Sequence, residues 1–208
     1  MKNKISYLIA AAAVAGLAQV ASATPSLPAG LLTADPTDAG GLYIYDTANG
    51  SSDFVGLSGT GVSTTAFSDA NWAIVVAIGD TVAGGVNPTL DLDVDAVGAG
   101  SLEVFYSVTG LGPTSNGYVF AAGAPVGGTA SIAAYGGNSN SAFDLSNPLG
   151  ATGTISSSSL YSLTLADTLT GSIASLDTSI SVPDGGTTVM LLGAVLSGLA
   201  LLKRKLVA

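Results

Sequence analysis

Hydrophobic and polar residues alternate along several short segments of this 208-residue chain. In residues 102–108, Leu102, Val104 and Tyr106 share one face of an extended chain, because successive side chains of a β-strand point to opposite sides. Residues 161–165 alternate in the same way, and β-branched and aromatic residues are frequent in these segments. The pattern predicts strands at residues 42–45, 72–78, 91–95, 102–108, 118–122, 131–135, 161–165 and 178–182.

Turn-forming residues separate the predicted strands. Asn49 and Gly50 follow residues 42–45 and form a dipeptide typical of β-hairpin turns. Between the two ends of the chain, no segment shows the apolar period of an amphipathic helix. Many short strands joined by turns predict an all-β domain, either an antiparallel two-sheet sandwich or a jelly roll.

Three further segments carry more detailed predictions. Residues 72–78 (WAIVVAI) are continuously apolar and predict a strand in the interior of the domain. Residues 118–122 and 131–135 predict a second strand pair, joined by a turn that contains glycine and proline. Residues 136–159 are rich in Gly, Asn, Ser and Thr and predict a solvent-exposed surface loop.

The first 23 residues have the pattern of a secretory signal peptide. Lys2 and Lys4 supply positive charge ahead of the apolar residues 7–17. Small residues follow at the two positions that signal peptidase requires, which predicts cleavage by that enzyme before Thr24. An uncleaved N-terminal membrane anchor is the alternative. The predicted cleavage site consists of Ala21, Ala23 and Thr24.

The C-terminal segment, residues 182–208, has three parts: a short motif, an uncharged apolar run and a basic cluster. Extended back toward the motif, the apolar run reaches roughly 27 Å as a helix, close to the ~30 Å of a bilayer core. We expect a transmembrane helix at residues 187–202 with its basic end in the cytoplasm; a buried helix of the domain is the alternative. The motif comprises Val182, Pro183, Asp184, Gly185 and Gly186, and the cluster comprises Lys203, Arg204 and Lys205.

This order of motif, apolar helix and basic end resembles the VPDSG-CTERM sorting signal, a variant of the PEP-CTERM signals of Gram-negative bacteria that make exopolysaccharide. The resemblance covers residues 182–208 and departs at Gly185, where that variant usually has serine. It implies recognition by an exosortase, a membrane-embedded transpeptidase-like enzyme, with cleavage near the motif and release or transfer to the cell surface. Exopolysaccharide is a further partner that it suggests. Without the resemblance, the motif is a turn at a strand-to-helix boundary. The Ser-, Thr- and Gly-rich strands ahead of it are loosely similar to other PEP-CTERM cargo domains.

The charged residues divide sharply along the chain. All five Lys and Arg residues lie in the two terminal segments, whereas all 14 Asp and Glu residues lie in residues 35–184. Residues 24–184 therefore carry 14 acidic side chains and no Lys or Arg. Such a domain repels nucleic acid and has no cationic side chain to bind phosphate. We expect no nucleic-acid partner.

Several catalytic classes are excluded because the chain contains no His and no Cys. Ser-His-Asp and Cys-His nucleophiles, imidazole or thiolate metal ligands and disulfides all need one of these residues. The glycine-rich stretches match neither GxGxxG nor the P-loop pattern, and no Asp-Thr pair continues into the Asp-Thr-Gly of aspartic proteases. We expect no enzymatic activity and no tightly bound cofactor.

Asp91, Asp93 and Asp95 form the most regular polar pattern in the predicted domain. On a strand they share one face. The simpler interpretation is a solvent-facing acidic stripe; the alternative is a Ca²⁺ site completed by a loop and backbone carbonyls. The stripe is not an EF-hand, since Ala96 and Leu102 stand where that loop needs Gly and Glu.

Seven aromatic residues invite a second interpretation as a sugar-stacking platform. Most of them lie inside predicted strands, so we expect them to pack in the core or on a sheet face. They are Tyr43, Tyr45, Trp72, Tyr106, Tyr118, Tyr135 and Tyr161.

Together these observations predict a signal peptide at residues 1–23, an exported β-sandwich domain at 24–181 and a sorting signal at 182–208. The protein would cross the inner membrane of a Gram-negative bacterium, be held there by its C-terminal helix before processing, and reach the surface or the medium. The function we expect is a structural or adhesive role in the envelope or extracellular matrix. The alternatives are a Ca²⁺-assisted carbohydrate-binding module and an unprocessed, tail-anchored periplasmic protein.

Overall fold

The computed structural model describes residues 40–56, 61–80 and 88–182. Every helix or strand within these ranges is a β-strand, which confirms the all-β prediction. The strands are β1 (Gly40–Asp46), β2 (Ser52–Gly56), β3 (Gly61–Ser68), β4 (Trp72–Asp80), β5 (Thr89–Gly98), β6 (Ser101–Leu111), β7 (Gly117–Ala122), β8 (Thr129–Gly137), β9 (Pro148–Leu149), β10 (Thr152–Thr154), β11 (Tyr161–Thr170) and β12 (Ile173–Ser181).

The strands form two six-stranded antiparallel sheets, as the turn-separated strand pattern predicts. Sheet A has the order β2-β1-β6-β11-β8-β9, and sheet B has the order β10-β7-β12-β5-β4-β3. Several neighbouring strands lie far apart in the chain; β6 pairs with β11, and β5 pairs with β12. The sheets are therefore held together largely by contacts between distant parts of the sequence.

The main core lies between the two sheets and takes apolar residues from both. Strand β5 shows the expected alternation: Leu90, Leu92 and Val94 are fully buried, and the residues between them are exposed. Strand β11 supplies Leu163 and Leu165 from the opposite sheet. Fully burying one such side chain stabilises the fold by about 1.5–3 kcal/mol.

Strand β4, predicted to lie in the interior of the domain, is an inner strand of sheet B and buries one of its two faces. It pairs on both sides, with β3 and β5, but only alternate residues such as Trp72, Ile74 and Val76 are buried. Val75, on its other face, is 47% exposed. The reason is architectural, because each sheet of a two-layer sandwich has only one inner face.

The predicted pairing of residues 118–122 with residues 131–135 is wrong. Both segments are strands, but β7 belongs to sheet B and β8 to sheet A. Strand β7 pairs with β10 and β12, while β8 pairs with β9 and β11. The glycine- and proline-containing connection crosses from one sheet to the other.

The predicted exposed loop at residues 136–159 is correct only in part: many of its residues are exposed, but the segment is not a simple loop. It contains strands β9 and β10 and buries Phe143 and Ile155. Phe143 has φ 56°, and its backbone N–H donates to Oγ of Ser107 at 2.9 Å. Its ring lies edge-on to Tyr43, with ring centroids 6.4 Å apart. This segment thus covers the outer face of sheet A and forms a second, smaller hydrophobic cluster there.

The hairpin predicted at Asn49 and Gly50 is confirmed. Strands β1 and β2 pair from Gly41↔Gly56 to Tyr45↔Ser52. Gly50 has φ 75°, in the left-handed region that glycine adopts without a steric penalty, and its N–H donates to the carbonyl of Asp46 at 2.9 Å.

Candidate functional site

The last strand, β12, leads directly into the segment that carries the predicted sorting signal. It lies inside sheet B, between β7 and β5. Val182 follows it, is fully buried in the main core, and donates its N–H to the carbonyl of Pro88 at 2.9 Å. Ser181 Oγ lies 3.3 Å from Thr89 Oγ1. The first residue of the motif is thereby fixed as part of the folded domain.

The remaining terminal predictions lie outside the described residues. They are the signal peptidase site at Ala21, Ala23 and Thr24, the motif residues Pro183, Asp184, Gly185 and Gly186, the transmembrane helix at 187–202, and the cluster of Lys203, Arg204 and Lys205. Within residues 40–56, 61–80 and 88–182, no helix long and apolar enough to cross a membrane is found. They stay predictions.

The acidic stripe lies where the alternation places it. Asp91, Asp93 and Asp95 are exposed on the outer face of β5, and their neighbours Leu92 and Val94 are buried. The solvent-facing arrangement of the three carboxylates is therefore confirmed.

Asp177, which sequence reasoning did not include, joins this stripe from the neighbouring strand. It lies opposite Asp93 in the β12–β5 ladder. Desolvation, the charge of Asp177 and a hydrogen bond with it raise the pKa of Asp91 above its usual value. Desolvation and the charges of Asp95 and Asp177 raise the pKa of Asp93. The sequence alone does not reveal Asp177, because its position depends on the register that pairs it with Asp93, 84 residues earlier in the chain.

The stripe does not have the geometry of a metal site in this structure. Among the described residues, no group of three or more Asp or Glu side chains is arranged so that it could hold a metal ion. Calcium binding by Asp91, Asp93 and Asp95 remains a hypothesis from the sequence.

A second carboxyl group, Asp167, lies in the middle of the core. It is 1% exposed and stands on β11 between the buried residues Leu165 and Leu169. Burial raises its pKa to about 8, a shift that the hydrogen bond with Thr178 only partly offsets. The group is thus neutral at pH 7. The alternation of residues 161–169 was the signal that could have found it, because Asp167 shares the phase of the leucines.

The hydrogen bonds around Asp167 fit a protonated acid. Its Oδ2 lies 3.1 Å from Oγ1 of Thr178, and that hydroxyl also lies 3.2 Å from the carbonyl oxygen of Leu92. A hydroxyl has a single proton. Thr178 can donate this proton to Oδ2 of Asp167 or to the carbonyl oxygen of Leu92, and a neutral Asp167 is compatible with both arrangements. Oδ1 of Asp167 is buried without a hydrogen-bond partner.

A polar network joins the two sheets at one end of the sandwich. Asn71, in the β3–β4 turn, donates to Oδ2 of the fully buried Asp46 at 2.7 Å. Asp69 accepts hydrogen bonds from Ser51 and from Nδ2 of Asn49, in the β1–β2 turn. It also accepts from the backbone N–H groups of Asn71 and Trp72. The carboxylate oxygens are occupied by protein donors, so this network is structural.

Desolvation acts to raise the pKa of Asp69, but these hydrogen bonds outweigh it. The side chains of Ser51 and Asn49 and the backbone amides together hold the pKa of this carboxyl well below its usual range. Asp69 is therefore charged at any pH at which the domain is expected to work.

The aromatic residues pack as the strand pattern predicts. Six of the seven are buried, and Tyr45 is partly buried. Tyr45 stacks on Tyr43 with ring centroids 6.3 Å apart and planes 11° apart. The described residues therefore show no open row of these seven rings, and no specific observation favours sugar stacking.

The comparisons identify the C-terminal segment. A family model described as the VPDSG-CTERM motif matches residues 181–206. No curated protein and no solved structure matches the chain. The match begins at Ser181, the final residue of β12, and confirms the resemblance carried by the motif, the apolar segment and the basic cluster.

Fold and tail together define a class of protein: an all-β, two-sheet domain followed at once by a C-terminal sorting signal. That signal is of the VPDSG-CTERM kind. It supports processing by an exosortase-type enzyme and indicates export toward the cell surface.

Proposed function

We propose that this protein is an exported surface or extracellular-matrix protein, sorted by an exosortase, with a structural or adhesive role and no catalytic activity. In this proposal a signal peptidase removes residues 1–23, and the C-terminal helix holds the chain in the inner membrane until the exosortase acts. The β-sandwich is then displayed on the cell surface or released.

The observation that carries this proposal is the junction at Val182. Strand β12 is hydrogen-bonded on both sides, and Val182 is buried with its N–H bonded to Pro88. The matched sorting motif starts at this junction with no intervening linker. A protease cleaves an extended segment that is free of the fold, so the peptide bonds open to processing lie on the C-terminal side of Val182.

The composition of the domain supports a non-catalytic role. Residues 24–184 contain no His, Cys, Lys or Arg, so carboxylates are their only strongly charged side chains. Asp167, whose pKa is raised to about 8, is sealed in the core, where a substrate has no access. The carboxylates Asp91, Asp93 and Asp177 are exposed on the outer face of sheet B.

The test is the intact mass of the protein recovered from the surface or medium of the producing cell. We expect a species that begins at Thr24 and ends close to Val182, with any additional mass reporting a lipid or glycan attached at the new C-terminus. A species that still ends at Ala208 and needs detergent for extraction would contradict sorting and favour a permanently tail-anchored protein.

A double variant separates sorting from folding. Pro183→Ala combined with Asp184→Ala changes only motif residues, and we expect the chain to keep its C-terminal segment and stay in the membrane fraction. Asp177→Ala removes an exposed carboxylate on β12 outside the motif and should be processed like the unmodified chain. Equal processing of both variants would overturn the role assigned to the motif.

A further inference from the structure

The two sheets of the sandwich have four edge strands, which differ in how well they are protected against pairing with another chain. They are β2 and β9 in sheet A, and β3 and β10 in sheet B. An edge strand presents unpaired backbone N–H and C=O groups and can pair with another chain. Natural proteins block such pairing with short edges, charged residues, proline or a bulge.

Three of the four edges carry one of these protections. Strand β9 has two residues and includes Pro148, and β10 has three residues. Strand β2 has five residues and includes Asp53. None of the three offers a long uncharged ladder.

Strand β3 is the exception. It has eight residues, Gly61–Ser68, with no charged residue and no proline. All eight pair with β4 in an unbroken register, from Gly61↔Asp80 to Ser68↔Ala73, without a bulge. Within the described part of the chain, no strand pairs with its other side. Its sequence, GVSTTAFS, includes the strand-favouring residue types Val, Thr and Phe.

We propose that β3 is an interaction surface for a second copy of this chain, which pairs antiparallel through its own β3 and joins the two B sheets into one twelve-stranded sheet. This inference goes beyond the surface role proposed above. It concerns the assembly of the domain and does not depend on sorting.

The geometry of a two-fold pair restricts the register. With a two-fold axis perpendicular to the sheet, the outer faces of the two B sheets lie on the same side of the joined sheet. Two residues that lie opposite each other across the β3–β3 contact must therefore both point outward or both point toward the core. The central residue of β3 in one copy then lies opposite the same residue of the other copy. The two residues in the middle of β3 are Thr64 and Thr65. Either register places Thr opposite Thr, a favourable cross-strand pair.

The charge distribution permits this approach although each domain is acidic. The residues between β3 and the acidic stripe belong to β4, whose outer face carries Ala73, Val75 and Ala77. The stripes of two paired copies would be five inter-strand spacings apart, roughly 24 Å. That distance is about three Debye lengths at physiological salt, so their repulsion is largely screened. A basic partner would be attracted to the stripe rather than to uncharged β3.

The other edges limit the assembly to two copies. A fibre would need a second open edge on each molecule, and β2, β9 and β10 are short or carry a protecting residue. The two-fold contact uses β3 of both partners, the one long unprotected edge among the described strands, and is closed.

The first test is the molar mass in solution of protein purified from cells that express the full chain, measured by light scattering and sedimentation. We expect a dimer. Thr64→Glu, on the exposed side of β3, would place two carboxylates close to each other across the axis and weaken the dimer by about tenfold or more. Thr152→Glu makes the same change at an exposed position of the protected edge β10 and should leave dimerisation unchanged.

Cross-linking provides an independent test, because the chain contains no cysteine. Directly opposite residues of an antiparallel pair have Cα atoms about 4.5–5.5 Å apart, a separation that a disulfide can bridge. On mild oxidation, Thr64→Cys or Thr65→Cys should form a disulfide-linked dimer, and Thr152→Cys should not.

Three outcomes would overturn the proposal. They are a monomer at all concentrations, a dimer that folded Thr64→Glu does not weaken, and equal weakening by Thr152→Glu. Circular dichroism of each variant shows that the β-structure is retained, so loss of the dimer is not mistaken for unfolding. A monomer would indicate that another part of the same chain, or nothing, covers β3.

Discussion

Oδ2 of Asp167 lies 3.1 Å from Oγ1 of Thr178, and this contact joins a strand of sheet A to a strand of sheet B inside the core. Thr178 continues the contact to the carbonyl oxygen of Leu92. The side chains of the adjacent positions on β11 that face the core are Leu165 and Leu169. A titratable acid therefore occupies a core position where an aliphatic residue would fit. The folded chain holds the proton of this acid more tightly than the unfolded chain does.

The first prediction concerns the pH dependence of stability. The folded chain keeps the Asp167 proton up to about pH 8, whereas an unfolded chain releases it near 3.8. Because the folded state binds the additional proton in that window, its stability falls as pH rises, by up to about 1.4 kcal/mol per pH unit. We expect urea denaturation to show a falling free energy of unfolding from pH 6 to pH 8. The chain has no histidine to titrate there.

Asp167→Asn should remove most of this slope and make the protein more stable at pH 7, because an amide is neutral at every pH and can donate to Thr178. Asp95 is exposed on β5, and the control variant Asp95→Asn should show the same pH dependence of stability as the unmodified protein. A flat profile for the unmodified protein between pH 6 and pH 8 would contradict the prediction.

The second prediction compares two buried tyrosines. The hydroxyl of Tyr161 is buried without a hydrogen-bond partner, and burial raises the pKa of the group to about 12. Tyr161→Phe removes an unsatisfied polar atom and should leave stability unchanged or increase it by about 1 kcal/mol. In contrast, the hydroxyl of Tyr118 accepts a hydrogen bond from the N–H of Gly150 at 3.0 Å. Tyr118→Phe should cost about 1 kcal/mol. Urea denaturation at pH 7 measures both, and a larger loss from Tyr161→Phe would show that the prediction is wrong.

The third prediction tests the cover over the outer face of sheet A. Phe143 is 4% exposed and lies edge-on to Phe54, which is 37% exposed, with ring centroids 6.2 Å apart. Phe143→Ala should lower the free energy of unfolding by about 3 kcal/mol or more and open this cluster to solvent. Phe54→Ala, which removes the more exposed partner, should cost clearly less. Similar losses from the two variants would mean that the segment does not act as a cover.

The fourth prediction concerns the network that links the two hairpins. The hydrogen bonds to Asp69 hold its pKa well below 3.8, so the stability that they provide is present above that pH and is lost as pH falls below it. Asp69→Ala should lower the melting temperature at pH 7, and the difference from the unmodified protein should shrink in strong acid. Asp53→Ala, a carboxylate on the edge strand β2, serves as the control. A difference that stays constant from pH 7 into strong acid would exclude a charge-dependent role.

Local patterns in the sequence were sufficient for several features. The alternation in residues 102–108 and 161–165 predicted strands with a defined inner face, and the three aspartates of β5 were correctly placed on the outer one. Asn49 and Gly50 predicted the first hairpin. The C-terminal motif, apolar run and basic cluster were recognisable because a sorting signal is a linear segment, and the family match confirms it.

Other features depended on which strands pair. The sequence did not show that β7 and β8 belong to different sheets, that Asp177 lies opposite Asp93, or that Phe143 folds back over Tyr43. The alternation of β11 even placed Asp167 in phase with its leucines, yet only the packing of β12 against it supplied Thr178 and excluded water.

The physical reason is the range of each constraint. The two-residue period of a strand is fixed by the local backbone, so the sequence by itself determined the strands, their facing and the sorting signal. Register, sheet order and burial depend on contacts between residues that are distant in the chain. These arise from the free-energy balance of the whole domain, and only the tertiary structure decided them.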